Sequence, residues 1–236
     1  MEQITLDQVI SQERKNSGTS PTKNKVFDKN GYLLIRNLID PKELYCEVPE
    51  ERGRFTYYGS LDRFSYITLE AQVEGSVSRY AYPLHNEVHY KIKNRLENII
   101  GDKLYTTYYN DRFYFPGQEL AIHTDRPSCE ISVTVHIGTN LKDPWPIWIK
   151  GCDEYNEDKT QVIREGQNTS IILNAGDALL YKGCERPHWR DPMPGKKRNI
   201  IRKIFKQEEL YYHQIFFHYV LQNGNNAHFA WDMPLK

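Results

Sequence analysis

The pattern of hydrophobic and polar positions changes its period partway along the chain. The segment HNEVHYKIKNRLENIIG at 85–101 places Val88, Ile92 and Leu96 four residues apart. This spacing predicts an amphipathic helix, because residues three or four apart lie on the same face of a helix. Gly101 stands at the position where such a helix would end.

The other segments before residue 104 give weaker signals. The apolar run GYLLIRNLI at 31–39 predicts a strand. Residues 1–25 are polar and rich in Ser, Thr, Asn and Lys, which predicts an irregular N-terminal arm. Residues 46–83 mix turn residues with scattered aromatics and predict no clear element.

From residue 104 onward, apolar and polar positions alternate in short runs rich in β-branched and aromatic residues. Alternation predicts strands, whose successive side chains point to opposite faces of a sheet. Gly, Pro, Asn and Asp separate the runs, and no helical pattern lies between them, which favours an antiparallel sandwich or barrel. The runs are LYTTYYNDRFYF (104–115), EISVTVHIG (130–138), WPIWIKG (145–151), TSIILNAGDALLYKG (169–183) and HQIFFHYVL (213–221).

We therefore predict a mainly β (α+β) chain with one domain over residues 26–236. Its core is a double-sheet barrel at residues 104–222, and a helical and strand shoulder precedes that core. The sequence shows no internal repeat.

Composition and charge narrow the functional classes. Hydrophobic residues make up 39% of the 236-residue chain and charged residues 26%, which is typical of a globular protein. Lys plus Arg equals Asp plus Glu at 31 each, so the net charge gives no argument for binding nucleic acid or an anionic membrane. The four cysteines form no C-x-x-C pair, which argues against a zinc ribbon. We expect a cytoplasmic setting, because no apolar run is long enough for a signal or membrane segment.

A His-x-Asp pair, His123 and Asp125, lies between two of the alternating runs. Chance gives roughly one His-x-acid match in a chain of this composition, and a second match occurs at His85 and Glu87. His85 and His89 lie near the edge of the predicted helix's apolar stripe without the H-E-x-x-H order of a zinc site. We interpret both as structural histidines.

His123 and Asp125 have a candidate third partner in His188, in the run GDALLYKGCERPHW. Residues two apart on an extended chain share a face, so the first two can converge on one ion. Two imidazoles and one carboxylate form the facial triad of non-heme Fe(II) oxygenases, whereas zinc prefers a closed tetrahedron, often with thiolates. His136 and His218 are interpreted as hydrogen-bonded strand histidines.

The motif Y-x-P-G-x-x-x-x-x-H-x-D that opens at Tyr114 resembles the Fe(II)/2-oxoglutarate-dependent dioxygenases, especially the prolyl 4-hydroxylase-like branch. Pro116, Gly117 and the downstream Gly176-Asp177 turn also match, and the resemblance covers residues 104–222. The segments HTDRPSCEIS, PWPIWI, PHWR and FFHYV are further similar to members from marine bacteria and their phages.

The resemblance implies a double-stranded β-helix (a jelly-roll, cupin-like fold) with iron in its mouth. His123, Asp125 and His188 would be the metal ligands and thereby the catalytic centre. The cofactors would be Fe(II), 2-oxoglutarate as cosubstrate and O₂, with ascorbate as a candidate reductant. The activity would be hydroxylation of an unactivated C–H bond of a peptide or small molecule, with release of succinate and CO₂. The oligomeric state is left open.

The family holds the far carboxylate of 2-oxoglutarate with a buried cation, preferably an Arg that binds it through two hydrogen bonds. Arg198 has the family's usual offset of about ten residues after the distal histidine, but a long segment separates it from the last strand. Arg190 and Arg126 are the alternatives, with Tyr109 or Tyr114 as hydroxyl donors. The alternative interpretation is that each Arg is a surface residue or part of an ion pair and does not bind the cosubstrate.

Two other functions fit the pattern less well. A cupin-like metalloenzyme without 2-oxoglutarate usually has an extra histidine in an H-x-H pair, and the sequence has none. A non-catalytic β-sandwich, such as a sugar-binding module or a phage structural part, would not require the three candidate ligands to meet.

Overall fold

A computed structural model describes residues 18–48, 55–59, 64–68, 72–73, 75–158, 160–196 and 208–230. Arg198 lies outside the described residues, as does most of the N-terminal arm.

The strands of the described residues are β1 (Tyr32–Ile35), β2 (Phe55–Gly59), β3 (Phe64–Thr68), β4 (Val77–Tyr80), β5 (Leu104–Tyr114), β6 (Leu120–His123), β7 (Ile131–Thr139), β8 (Ile147–Lys150), β9 (Glu154–Tyr155), β10 (Val162–Arg164), β11 (Asn168–Ile171), β12 (Ala178–Tyr181), β13 (His188–Arg190) and β14 (Tyr212–Leu221).

The described residues form two α-helices, α1 (Lys25–Asn30) and α2 (Asn86–Ile100). The Asn24 side chain caps α1 by accepting hydrogen bonds from the first turn, and Gly101 ends α2 at a φ of 78°. The predicted helix at 85–101 is therefore confirmed. Within the described residues, neither helix is long and apolar enough to span a bilayer.

The predicted strand at 31–39 is shorter in the structure. Its pairing with β12 ends at Ile35, and Asn37 takes a positive φ of 50°. The Asn37 amide donates a hydrogen bond to Asp177 Oδ1 at 3.0 Å, so a turn replaces the last part of the strand.

The strands form two facing sheets and one hairpin. The large sheet has the order β1-β12-β7-β14-β5-β4-β2-β3, and the smaller one has the order β11-β8-β13-β6, while β9 pairs only with β10. Neighbouring strands are antiparallel except β2 and β4, which run parallel in the region where the sequence predicts no clear element. The predicted antiparallel jelly roll is confirmed.

The central strands of the large sheet divide their side chains between an apolar face and a polar face. The apolar face packs on α2 and forms the main core, in which each fully buried side chain contributes about 1.5–3 kcal/mol. The polar face carries Ser132, Thr134 and His136 from β7 and Gln214 and His218 from β14, all buried. Because buried polar groups need partners, this polar interior is where a binding site is expected. The apolar face includes Ile131, Val133, Val135, Ile215, Phe217, Tyr219, Ile92, Leu96 and Ile100.

Candidate metal and cosubstrate site

The end of β6 and the start of β13 bring the three predicted ligands together. His188 pairs with His123 across the two strands, and Asp125 follows β6 by two residues. The His123 Nε2 and His188 Nε2 atoms lie 3.6 and 3.7 Å from Asp125 Oδ1. The three candidate ligand atoms thus lie within 4.8 Å of one another.

Backbone contacts orient both imidazole rings. His123 Nδ1 lies 2.8 Å from the Ala121 carbonyl oxygen, and His188 Nδ1 lies 3.0 Å from that of Arg186. A carbonyl can only accept, so each Nδ1 carries a proton, and Nε2, which faces Asp125, is the nitrogen of each ring that is left to bind a metal. The Gln72 amide nitrogen lies 2.7 Å from His123 Nε2. An ion held by His123 would take the place of that hydrogen bond.

Asp125 is held by its other oxygen. The Ser132 hydroxyl donates to Asp125 Oδ2 at 2.9 Å, and the Asp125 amide donates to the Gly183 carbonyl at 2.9 Å. A Cβ atom on Gly183 would lie 2.6 Å from both Asp125 Oδ2 and Ser132 Oγ, so only glycine fits at this position. Ser132 Oγ also lies 2.9 Å from His218 Nδ1. These contacts leave Oδ1 to face the two imidazoles.

The charge states suit metal binding. Burial alone would raise the pKa of the Asp125 carboxyl, but His188, His123 and His218 lower it below its ordinary value. Burial lowers the pKa of His188 to about 4, so its ring is neutral at pH 7. Two imidazoles and one carboxylate are a donor set for Fe(II). Cys129 lies close to Asp125 and His218, but burial raises the pKa of its thiol and so disfavours the thiolate that a zinc tetrahedron would need.

The three side chains line a cavity of about 320 Å³. This volume lies at the low end of the roughly 300–1,000 Å³ typical of small-molecule sites. Alternate residues of β5 form one side of the wall, since residues two apart share a face of a strand. Other wall residues are Gln72, Tyr108, Asn110, Arg112, Arg126 and His218.

Comparisons with solved structures identify the architecture. The fold is similar to the 2-oxoglutarate-dependent epimerase SnoN of nogalamycin biosynthesis, with a TM-score of 0.53, 11% identity and coverage of 92% of this chain and 83% of SnoN. A 2OG-Fe(II) oxygenase family member from Burkholderia pseudomallei gives a TM-score of 0.51 at 11% identity, covering 92% and 93% of the two chains. The chain has the fold of the Fe(II)/2-oxoglutarate oxygenases.

The oxygenase fold is also that of HygX from Streptomyces hygroscopicus, whose structure contains nickel and 2-oxoglutarate. HygX matches with a TM-score of 0.50 and 10% identity over 86% of this chain and 89% of its own. Neither a protein-family model nor a curated protein matches the sequence. The predicted resemblance to the superfamily is confirmed at the level of the fold, and the prolyl 4-hydroxylase-like branch stays a prediction.

Of the two predicted cosubstrate cations that the structure describes, Arg190 is buried and Arg126 is exposed. The Arg190 side chain is fully buried, and its guanidinium donates to the Trp145 carbonyl, the Tyr212 hydroxyl and Gln214 Oε1 at 2.6, 3.2 and 2.7 Å. These partners are neutral, and Arg190 Nε has no hydrogen-bond partner among the described residues. Arg126 lies instead on the cavity wall, with its guanidinium 4.5 Å from the centre of the Tyr108 ring.

The structure corrects the prediction for Tyr109. Its ring lies on the apolar face of the large sheet, 5.0 Å from the His89 ring, and it belongs to the main core. Strand alternation explains the error, because Tyr108 and Asn110, the neighbours of Tyr109 on β5, line the cavity, so Tyr109 points to the opposite face, toward α2. Tyr114 has the correct parity, is buried, and accepts a hydrogen bond from Arg112 at 3.3 Å.

Arg112 and His218 also line the cavity, although neither is among the site residues predicted from the sequence. Arg112 lies two residues from Tyr114 on an alternating strand, so the same period that predicted the strand could have placed it on the inner face. His218 is hydrogen-bonded to Ser132, as expected for a strand histidine. It also faces the site from β14.

A second group of candidate ligand atoms, from Cys46, Asp111 and His213, lies on the opposite face of the large sheet. The Arg79 guanidinium contacts both Asp111 and Cys46. Burial raises the pKa of the Cys46 thiol to about 11, which disfavours the thiolate that a metal requires. We interpret this group as a buried ion-pair network. His85, the histidine of the second His-x-acid match, belongs to it.

Proposed function

We propose that the protein is an Fe(II)- and 2-oxoglutarate-dependent oxygenase that hydroxylates an unactivated C–H bond of a small-molecule or peptide substrate. The observation that carries this proposal is the convergence of His123, Asp125 and His188 at one cavity of a barrel with the oxygenase fold. The two imidazoles and the carboxylate leave one side of an octahedral ion open for cosubstrate and oxygen.

In this proposal, O₂ would be the oxidant and iron would supply the site at which it reacts. One oxygen atom would end in succinate as 2-oxoglutarate loses CO₂, and the other would end in the hydroxylated substrate. The protein's own residues bind and orient. Backbone carbonyls fix the rings of His123 and His188, and Ser132 holds Asp125 by one oxygen. Such supporting contacts typically change metal affinity by 10- to 100-fold when they are lost.

Arg190 is the proposed partner of the far carboxylate of 2-oxoglutarate. It lies two residues after His188 on β13, so both side chains point to the same face, about 6.6 Å apart along the strand. This separation suits a five-carbon dicarboxylate that chelates the metal at one end. A fully buried guanidinium with only neutral partners is costly, and the carboxylate would compensate its charge.

An anaerobic titration tests the function. Fe(II) plus 2-oxoglutarate is expected to give a weak visible metal-to-ligand charge-transfer band, because the keto acid chelates the metal. Zn(II) in place of Fe(II) gives no such band, and a chelator removes it reversibly. A wild-type protein that shows no band, and releases no succinate under air, would exclude the oxygenase proposal. A band-free protein that binds metal would favour the cupin-like alternative.

Replacing Arg190 by Met is expected to raise the dissociation constant of 2-oxoglutarate at least about thirtyfold, because truncating one partner of a buried charge pair costs about 2 kcal/mol or more. Titration of the charge-transfer band measures the constant. Lys91, which pairs with Glu43 at the surface, provides the matched control Lys91→Met. If Arg126→Met or Arg198→Ala raises the constant while Arg190→Met does not, the carboxylate partner has been assigned wrongly.

A further inference from the structure

We propose that Arg112 binds an anionic group of the substrate, a carboxylate or a phosphate, in the cavity that contains His123, Asp125 and His188. This inference rests on the proposed oxygenase function and adds the substrate class to it. It depends on the surroundings of Arg112, on the number of buried cations in the barrel, and on the charge of the cavity wall.

Arg112 is a buried cation whose hydrogen-bond partners are all neutral. Its Nε donates to Ser78 Oγ at 3.1 Å, and its Nη1 donates to Gln72 Oε1 at 3.1 Å and to the Tyr114 hydroxyl at 3.3 Å. Only 5% of the residue is exposed, and no carboxylate pairs with it among the described residues. A guanidinium in this environment favours an anion, since an isolated buried charge is expensive.

Among the described residues, Arg112 and Arg190 are the buried guanidiniums of the barrel interior, whereas Arg126, which also borders the cavity, is exposed to solvent. Chelation of the metal by 2-oxoglutarate leaves only the far carboxylate free to pair with a cation. Arg190 lies on the strand that carries His188, two residues away, and is assigned to that carboxylate. Arg112 lies on β5, across the barrel, and borders the cavity directly. Arg112 is therefore the buried cation that is left for a second anionic ligand.

The cavity wall distinguishes an anionic substrate from a cationic or zwitterionic one. Asp125 is the one acidic residue among the described wall residues, and its carboxylate faces the two imidazoles. A substrate ammonium group would thus find no acidic partner there. Asn110, two residues from Arg112 on the same face of β5, has a side-chain oxygen without a hydrogen-bond partner in the described structure. This oxygen can accept a hydrogen bond from a donor group of the substrate, such as a hydroxyl, beside the anion that Arg112 binds.

The test compares charged and uncharged probes of the same shape. Wild-type protein with Fe(II) and 2-oxoglutarate bound is titrated anaerobically with benzoate, phenyl phosphate and benzamide, and calorimetry measures binding. We expect at least one of the two anions to bind about tenfold or more tightly than benzamide, because a desolvated charge pair adds at least that much. The two anions distinguish a carboxylate site from a phosphate site.

Variants of Arg112 provide the second half of the test. In Arg112→Gln the preference for the anion is expected to fall to within about twofold of benzamide, and Arg112→Lys is expected to retain part of it. The surface variant Lys91→Gln removes the same unit charge far from the cavity and controls for net charge. The dissociation constant of 2-oxoglutarate should stay within about twofold of wild type in Arg112→Gln.

Three results would overturn the assignment. The anions bind wild type no more tightly than benzamide, or Arg112→Gln keeps the preference, or Arg112→Gln loses 2-oxoglutarate. The last result would make Arg112 the cosubstrate's partner. If the oxygenase proposal itself is wrong, the wild-type protein shows no charge-transfer band. Calorimetry with the three probes still measures whether that protein binds the anions more tightly than benzamide.

Discussion

Replacing His188 by Ala is expected to abolish the charge-transfer band of the Fe(II)–2-oxoglutarate complex and the release of succinate. The ring lies within 3.7 Å of Asp125 Oδ1 and is only 2% exposed, so no other side chain can take its place without moving the strand. We expect His123→Ala and Asp125→Ala to have the same effect. Iron affinity should fall by more than about a hundredfold in each, beyond the typical loss for an outer supporting contact.

The matched control is His89→Gln, which removes another buried imidazole. His89 lies on α2, on the far side of the large sheet, and its Nε2 lies 3.2 Å from the backbone oxygen of His218. This variant is expected to lose stability but to keep the band. Iron affinity is measured by competition with a chromophoric chelator, and circular dichroism verifies the fold. A ligand variant that binds iron as tightly as wild type does not belong to the site.

The barrel could be predicted from the sequence because the alternation of apolar and polar residues is visible within each single strand. β5, β7 and β14 alternate over 9 to 11 residues each, and alternation on this scale needs no knowledge of the partner strand. Residues 46–83 could not be placed, because β2 and β4 pair in parallel although β3 lies between them in the sequence, and β4 also pairs with β5 beyond this segment. Such pairing depends on long-range contacts that leave no short-range period.

The site was predictable where the ligands share a strand end and much less so elsewhere. His123 and Asp125 are two residues apart, so one pattern found both, and the turn before β12 pointed to His188. The offset that favoured Arg198 depends on a short connection to the last strand, which this chain lacks. Arg190 and Arg112 reach the interior from two different strands, and only the assembled sheets bring their side chains into one barrel.

β5 links the proposed site to a structural network on the opposite face of the same sheet. Arg112 and Asn110 face the cavity, whereas the residue between them, Asp111, is fully buried on the α2 side. His85 Nε2 lies 2.9 Å and His213 Nε2 3.6 Å from Asp111 Oδ2. Adjacent residues of β5 point to opposite faces of the sheet. The Asp111 network holds β5 in place from one face, and it thereby fixes the position of Arg112 on the other face.

Replacing Asp111 by Asn is expected to destabilise the fold by about 3–5 kcal/mol, because it leaves the Arg79 guanidinium as an unpaired charge in the interior. Arg79 Nε donates to Asp111 Oδ1 at 3.1 Å, and the Arg79 side chain is only 11% exposed. Urea unfolding measures the loss. The double variant Asp111→Leu with Arg79→Met removes both charges and should cost less than the sum of the two single changes.

The pH dependence gives a second measure of the same pair. Burial alone would raise the pKa of Asp111, but Arg79, His213 and His85 together hold it well below its ordinary value. A lowered carboxyl pKa stabilises the fold fully above the ordinary value of about 3.9, and this contribution is lost as the pH falls below it. The stability gap between wild type and Asp111→Asn should therefore be constant near neutral pH and narrow on acidification below about pH 4. A gap that stays the same at all pH values would mean that the carboxylate charge does not stabilise this network, and that Asp111 acts there only through its shape.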